Sequence, residues 1–208
     1  MIEFVMFDAD GVLFESVQSN IAFYNAIFAQ VGQPCLEPHE QSQCIFMATR
    51  EVFAQRAGAD LHLRERMAAV AAELDAAPFF RLLQPPFELR PFLHRLRQRY
   101  KLGLATNRST TVPALIEHLD LRDIFDAITC LQDAVAPKPA PDLLNLCMKR
   151  AGVGAAHAIY VGDSPIDSEA AAAAGVGFIG VGQRVSTPHR IEALAELPAL
   201  LERLDARV

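Results

Sequence analysis

The sequence lacks long apolar runs and closely spaced cysteine pairs, and its basic residues are scattered apart from those of residues 90–101, which are interpreted as the exposed face of one helix. No apolar run approaches the ~18 residues of a membrane-spanning helix, so no transmembrane segment is expected. The net charge of −6 and the scattered basic residues argue against general binding to nucleic acid or anionic membranes. The cysteines have neither CxxC spacing nor a histidine at metal-ligand spacing, which predicts reduced, mostly buried thiols. They are Cys35, Cys44, Cys130 and Cys147.

No secretory signal is expected either. No basic segment precedes the first apolar run, and acidic residues arrive as early as Glu3 and Asp8. Hydrophobic residues make up 51% of the 208 residues, and no polar tract has the composition of a disordered segment. These features predict a cytoplasmic chain with one full core, or a core domain with a modest insertion.

One block of the sequence is helical throughout. Apolar residues recur at helical spacing from Ile21 to Phe28, and helices are also predicted for residues 44–57 and 63–80. Alternation of period two is absent from this block, and Pro85-Pro86 ends it because proline is excluded from helix interiors. The predicted organisation is a core of residues 1–15 and 86–208 with an all-helical insertion of residues 16–85.

The core alternates between short apolar strands and helices. This pattern predicts an α/β fold, a Rossmann-like doubly wound parallel sheet with helices on both faces. The predicted strands are residues 2–7, 102–106, 127–130, 158–161 and 178–181. The predicted helices are residues 90–101, 113–119, 141–151, 165–174 and 188–204.

Polar residues follow the strands where each one ends. Asp8 and Asp10 precede Gly11 after the first strand, and the Gly-Asp-x-x-x-Asp segment with Asp163 and Asp167 follows the strand at 158–161. Parallel strands bring these ends to one edge, where ligands bind in open α/β sheets. Two unit charges ~4 Å apart repel by about 4 kcal/mol at an effective dielectric near 20, so four carboxylates together require a cation. All-oxygen ligation favours Mg²⁺.

Two further segments complete the predicted site. Thr106 closes the predicted strand at 102–106 and Asn107 follows it, and Lys138, one of only three lysines in the chain, stands between Pro137 and Pro139. A phosphoryl group could lie between the cation, the ammonium, the hydroxyl and backbone amides. Each segment also has a simpler interpretation: hydroxyl, amide and aspartate side chains cap helices, and a loop lysine is commonly solvated.

In this order, the four segments resemble the motifs of the haloacid dehalogenase-like (HAD-like) hydrolases. DADGVLFES matches the first motif, Asp-x-Asp-Gly-x-Leu, and the tail GDSPIDSEAAAAAG resembles the phosphoglycolate phosphatase and β-phosphoglucomutase-like branch, which carries a helical cap. The resemblance implies a Mg²⁺-dependent phosphatase with an aspartyl-phosphate intermediate. It assigns Asp8 as the nucleophile and Asp10 as the acid and base. The implied metal ligands are Asp8, the Asp10 carbonyl, Asp163 and Asp167 (directly or through water). The implied phosphate-binding residues are Thr106, Asn107 and Lys138, and Lys138 would also keep Asp8 ionised and oriented.

The resemblance leaves some alternatives open and argues against others. Family members that cleave carbon–halogen bonds lack the aspartate found here at Asp10, and phosphonoacetaldehyde hydrolases need a cap lysine, which is missing between Glu15 and Leu89. A phosphomutase shares all four motifs, and Val12, where threonine is usual, leaves the branch undecided. A two-component receiver, a signalling domain, places similar residues at strand ends but lacks both the insertion and Asp10.

The position of the insertion predicts the kind of substrate. It leaves the core directly after the first motif and returns at Pro85-Pro86, so a domain on these two tethers could close over the site. We expect small phosphorylated metabolites rather than phosphoproteins or nucleic acid, and a monomer or weak dimer. Arg50 is the predicted cap contact to a substrate anion, although a solvated helix arginine is the simpler interpretation.

Overall fold

The strands form a single parallel sheet with the first strand near its middle. The computed structural model describes residues 1–44, 47, 49–134 and 136–206. In this part of the chain the sheet has six strands in the order β3-β2-β1-β4-β5-β6, and each neighbouring pair is parallel. The strands are β1 (Phe4–Phe7), β2 (Lys101–Ala105), β3 (Ala127–Thr129), β4 (Ala158–Gly162), β5 (Gly177–Val181) and β6 (Arg190–Ile191). The α/β prediction is confirmed.

Ten helices accompany the sheet in the described residues. They are α1 (Val17–Gln30), α2 (Pro38–Cys44), α3 (Thr49–Ala57), α4 (Leu61–Glu73), α5 (Ala77–Phe80), α6 (Leu89–Arg97), α7 (Val112–His118), α8 (Asp142–Ala151), α9 (Pro165–Ala174) and α10 (Leu197–Asp205). None of them combines the length and apolar character that crossing a bilayer requires. Backbone contacts divide the chain into two compact units, residues 1–15 with 85–208, and residues 16–84.

The first unit is built around a fully buried central strand. All four residues of β1 are buried, as is typical of a parallel strand covered on both faces. Phe4 and Met6 pack with Tyr160 of β4 and with apolar residues of α8 and α9. Helix α6 turns Phe92 and Leu93 inward, as its pattern predicts. This packing holds the ends of β1, β2 and β4 side by side, which fixes the residues that follow them.

The second unit has an apolar core of its own. Helices α1, α3 and α4 contribute buried residues such as Ile27, Phe53 and Met67. The Arg56 guanidinium lies 4.4 Å from the centre of the Phe28 ring and binds Glu40 at 2.8 Å. The unit therefore has its own compact core, which accounts for the helical periodicity of the block.

Four predicted helices differ from the structure. The helix expected over residues 90–101 ends at Arg97, and Lys101 already belongs to β2. The helix expected over residues 63–80 is two helices, because Leu74 is extended, Asp75 Oδ1 accepts from the Ala77 N–H at 3.0 Å and α5 carries a proline in its first turn. The helix expected over residues 188–204 begins only at Leu197, since the two-residue strand β6 and a short 3₁₀ turn precede it. Of the helix expected over residues 44–57, α3 covers Thr49–Ala57, while residues 45, 46 and 48 lie outside the described residues.

The cysteine prediction holds for two of the described thiols. Cys130 and Cys147 are buried, whereas Cys35 is exposed. Burial raises the pKa of Cys147 to about 12, so this thiol stays protonated and behaves as a small apolar side chain.

Candidate active site

Asp8 continues the path of the central strand into the site. Its backbone N–H donates to the carbonyl of Val161 at 2.9 Å, extending the β1–β4 ladder by one residue. The side chain is buried, and its Oδ1 lies 2.8 Å from the ammonium nitrogen of Lys138. The sheet therefore brings the first predicted motif and the lone lysine between prolines into direct contact.

The Lys138 ammonium is surrounded by three acceptors. Besides Asp8 Oδ1, it donates to Asp167 Oδ1 and to the Tyr160 hydroxyl, both at 2.7 Å. An ammonium has three hydrogens, so this arrangement uses all of them. A direct bond from Lys138 to a phosphate would have to replace one of these three, and the structure therefore favours its second predicted role, which is to orient Asp8.

Asp167 is a structural acid at the start of helix α9. Its Oδ2 accepts from the Ser164 hydroxyl at 2.5 Å and from the Ser164 N–H at 3.2 Å, while its own N–H donates back to the Ser164 side chain. This reciprocal pattern is a capping box. Protein donors thus bind both oxygens of Asp167, and this aspartate caps helix α9.

Asp163 lies where the first and last motifs meet. The Arg184 guanidinium, from the loop after β5, pairs with its Oδ2. Gly11 lies against the same carboxylate with φ of 75°, and a side chain at this position would overlap both Asp163 and Arg184. A glycine is therefore required after Asp10 in the first motif, because Asp163 of the fourth motif lies so close to its backbone.

Asp10 points to a different partner from the other acids. Arg108 donates through Nε to Oδ2 and through Nη2 to Oδ1, each at 2.7 Å, which is a bidentate pair. The carboxylate oxygens that gather within 4.8 Å of one another belong to Asp8, Asp163 and Asp167. The expectation that four carboxylates would converge is corrected to three, since the Arg108 fork holds the Asp10 carboxylate.

The segment after β2 supplies a hydroxyl and a clamp. Thr106 is buried, and its hydroxyl accepts from the Arg108 N–H at 3.1 Å, so its own hydrogen remains to be donated. The Asn107 amide binds the Lys138 backbone twice, accepting from its N–H at 2.8 Å and donating to its carbonyl at 3.2 Å. The structure thus places Asn107 on Lys138 itself, which holds the lysine loop against the end of β2.

Burial dominates the electrostatics of the site. Burial raises the pKa of Asp8 to about 8; the charges of Asp167 and Asp10 add to this rise, and Lys138 opposes it. Burial also raises the pKa of Asp163 to about 6, although Arg184 limits the increase. Burial disfavours the charged forms of Asp167 and Lys138 too, but their mutual attraction prevails, lowering the pKa of Asp167 and raising that of Lys138.

These residues fit a small divalent cation. Three buried carboxylates contribute oxygen ligands within 4.8 Å of one another, and two of them have a raised pKa that added positive charge would reverse. Hard cations such as Mg²⁺ take one or two carboxylates together with waters and substrate oxygens. Asp8 and Asp163 are the carboxylates better suited to direct ligation, because Lys138 and Arg184 engage only one oxygen of each, whereas protein donors engage both oxygens of Asp167.

Several residues of the site were not assigned a role from the sequence. Ser164 could have been recognised, because Ser-x-x-Asp before a helix approximates a capping box. Tyr160 gave a weaker signal, a phenol in a buried strand that must find a partner. Arg108 and Arg184 lie in loops, and the sequence gave no signal of their role. Arg50, the predicted cap contact, is exposed on α3.

Comparison with known proteins identifies the class. The sequence profile of the haloacid dehalogenase-like hydrolases matches residues 5–181, so the chain belongs to that family of enzymes. A HAD-superfamily hydrolase of subfamily IA, variant 1, from Geobacter sulfurreducens has a crystal structure similar to this fold. It is 30% identical, with 96% of each chain covered and a TM-score of 0.79.

Two further comparisons, one of sequence and one of fold, concern proteins of the branch that the motifs resemble. The phosphoglycolate phosphatase of Yersinia pseudotuberculosis is 36% identical over 107 residues, which are 48% of this chain and 46% of that protein. The chain thus matches less than half the length of this curated relative. The β-phosphoglucomutase of Clostridium difficile has the same fold, with a TM-score of 0.81 at 17% identity, 100% of this chain and 99% of the other being covered.

Proposed function

We propose that this chain is a Mg²⁺-dependent phosphatase that hydrolyses a small phosphorylated metabolite through an aspartyl-phosphate at Asp8. The observation that carries the proposal is the position of Asp8, which is held by Lys138 at 2.8 Å beside two further buried carboxylates. Such a carboxylate is fixed in direction and lies next to a site for a cation, as a nucleophile toward phosphorus requires. The similarity to phosphoglycolate phosphatases supports the same reaction.

The first half of the proposed reaction transfers the phosphoryl group to Asp8. Lys138 binds Oδ1, which leaves Oδ2 to form the new bond to phosphorus while the ester bond to the leaving oxygen breaks. Asp10 takes up a proton from solvent once the Arg108 fork releases one of the Asp10 carboxylate oxygens, and it then delivers that proton to the leaving oxygen. The Thr106 hydroxyl donates to a phosphoryl oxygen. Asp8, Asp163 and the Asp10 carbonyl, with Asp167 directly or through water, would hold Mg²⁺, which would supply positive charge beside the phosphoryl oxygens.

The second half restores the enzyme. Asp10, now ionised, accepts a proton from a water molecule while the water oxygen attacks phosphorus. The bond between phosphorus and Asp8 then breaks and inorganic phosphate is released. Lys138 again binds the Asp8 carboxylate. The receiver-like alternative requires that this second half be slow, so steady release of phosphate would exclude it.

We infer that the unit of residues 16–84 acts as the cap and limits the substrate to small molecules. In a screen of phosphorylated metabolites with Mg²⁺, we expect a small acid or sugar phosphate, with phosphoglycolate as the first candidate, to give the highest kcat/KM. A phosphopeptide should be about 100-fold poorer, because a closed cover cannot admit it. A phosphopeptide handled as well as the best metabolite would show that the cap is not a sieve.

Product analysis distinguishes the phosphatase from a phosphomutase. In the screen, the enzyme should release inorganic phosphate in the same amount as the substrate it consumes, since water is the proposed acceptor of the phosphoryl group. Conversion of a sugar phosphate to its positional isomer without phosphate release would assign the chain to the mutases instead.

The two aspartates of the last motif should differ in their effect on metal dependence. We expect Asp163→Ala to raise the Mg²⁺ concentration for half-maximal activity by about 10-fold or more, because a direct ligand is lost. Asp167→Ala should raise it less but lower the thermal midpoint by several degrees, since it breaks the capping box and leaves Lys138 without one acceptor. A Mg²⁺ titration and a thermal melt of both variants test this. The assignment is wrong if Asp167→Ala has the larger effect on the Mg²⁺ requirement.

A further inference from the structure

Tyr160 carries a buried hydroxyl inside the candidate active site, and the proposed mechanism assigns no step to this hydroxyl. Its side chain extends from β4 and is fully buried. The hydroxyl oxygen lies 2.7 Å from Lys138 Nζ, 3.0 Å from the Ala105 carbonyl oxygen and 3.1 Å from Asp167 Oδ1. Thus one phenol contacts the lysine loop, the end of β2 and the start of helix α9.

The direction of each hydrogen bond follows from what each group can donate. An ammonium only donates, so the Tyr160 hydroxyl accepts from Lys138. Its single hydrogen then goes to the Ala105 carbonyl or to Asp167. Because Ala105 immediately precedes Thr106, the phenol connects the lysine to the backbone that carries the phosphate-binding hydroxyl.

We propose that Tyr160 is a positioning residue, whose hydroxyl fixes the direction of the Lys138 ammonium and thereby the orientation of the Asp8 carboxylate. With the two carboxylate acceptors alone, the ammonium can shift away from Asp8 toward Asp167. The Tyr160 hydroxyl, as the third acceptor, opposes this shift, so that one hydrogen stays directed at Asp8 Oδ1. The kinetic part of this inference rests on the proposed phosphatase function, whereas the part concerning Lys138 does not.

Tyr160→Phe isolates the hydroxyl. The ring, whose centre lies 5.4 Å from Lys138 Nζ, is kept, so the packing of β4 and the attraction of the cation to the ring are preserved. Tyr100→Phe is the matched control. Tyr100 lies in the same unit and its hydroxyl donates to Asp205 at 3.0 Å, but Asp205 is on α10 and belongs to none of the site's segments.

The first readout is kinetic. We expect Tyr160→Phe to lower kcat by about 10- to 100-fold with KM changed by less than about threefold, because misdirection of the attacking group affects the transition state more than substrate binding. Tyr100→Phe should leave both constants near wild type while lowering the thermal midpoint. A Tyr160→Phe enzyme with wild-type kcat, or with a loss expressed in KM, would overturn the proposal.

The second readout is independent of activity and uses the small number of lysines. In protein labelled with ¹⁵N-lysine there are only three ammonium groups: Lys138, Lys101, which donates to the Ala151 carbonyl at 2.7 Å, and Lys149, which is exposed. The buried Lys138 ammonium should give a ¹H–¹⁵N correlation in wild type and in Tyr100→Phe. It should broaden or exchange at least about 10-fold faster in Tyr160→Phe. An unchanged Lys138 signal would overturn the proposal even if kcat falls.

A graded substitution covers the case in which Tyr160→Phe does not fold. With 3-fluorotyrosine at position 160 the hydroxyl is kept but accepts a hydrogen bond less well. We expect kcat to fall by about two- to fivefold at constant KM, and the Lys138 signal to exchange faster than in wild type. Wild-type values for both would contradict the positioning role. If neither wild type nor variants release phosphate from any ester, the proposed function fails and the Lys138 signal alone decides the role of Tyr160.

Discussion

Replacing Asp8 by asparagine is expected to abolish turnover while the protein stays folded. The substitution keeps the shape of the side chain and an oxygen that can accept from Lys138 at the 2.8 Å position, but an amide oxygen is not a nucleophile toward phosphorus. We expect kcat to fall by about 10³-fold or more, since the proposed attacking carboxylate is removed. Steady-state assay of the best substrate from the metabolite screen measures this directly.

Asp133→Asn provides the control for Asp8→Asn. Asp133 is also a carboxylate of the first unit with an ionic partner, Arg150, but it lies apart from the three clustered acids. This variant should keep activity within about twofold of wild type, because its partly exposed ion pair contributes little. Residual activity above a few per cent in Asp8→Asn, with a normal circular dichroism spectrum, would remove Asp8 as the nucleophile.

Removal of Mg²⁺ should stop the reaction almost as completely. Three buried carboxylates with insufficient positive charge around them cannot also accept a phosphate dianion without strong repulsion. We expect a chelator to reduce the rate by about 100-fold or more, and added Mg²⁺ to restore it. Calcium should substitute poorly, because it prefers six to eight longer oxygen contacts and would misplace Asp8.

The chelator experiment also has a built-in control. Thermal unfolding should be followed in chelator and in Mg²⁺, because loss of activity through unfolding would be indistinguishable in an activity assay alone. The metal-free protein should remain folded at the assay temperature, since Lys138, Arg108 and Arg184 already neutralise part of the acidic charge. Full activity in excess chelator would rule out the metal.

The sequence was informative about the site where local patterns decide the structure. Apolar strands that end in polar residues are a local signal, and parallel pairing then forces the ends of β1, β2 and β4 to one edge. This is why Asp8, Thr106 and Asp163 could be assigned to one site from their positions in the chain. The short strand β6 and the break between α4 and α5 were missed because two residues, or a single capping aspartate, hardly alter periodicity.

The partners within the site could not be predicted in the same way. The pairing of Arg108 with Asp10 and of Arg184 with Asp163 depends on the paths of two loops, which carry no periodic signal. The sequence also does not show which oxygen of an acid is already occupied. That information adds a capping role for Asp167 to the predicted metal contact, and of the two predicted roles of Lys138 it favours the orientation of Asp8.

Trapping of the covalent intermediate tests the central claim most directly. During turnover with Mg²⁺ and the best substrate, the protein is quenched in acid and treated with borohydride, which reduces an acyl phosphate to an alcohol, and its peptides are then mass-mapped. We predict that the side chain at position 8, in a peptide containing the first motif, is converted to the alcohol in wild type and not in Asp8→Asn. Turnover that releases phosphate while position 8 stays unmodified at every quench time, or modification at another acid, would contradict the mechanism.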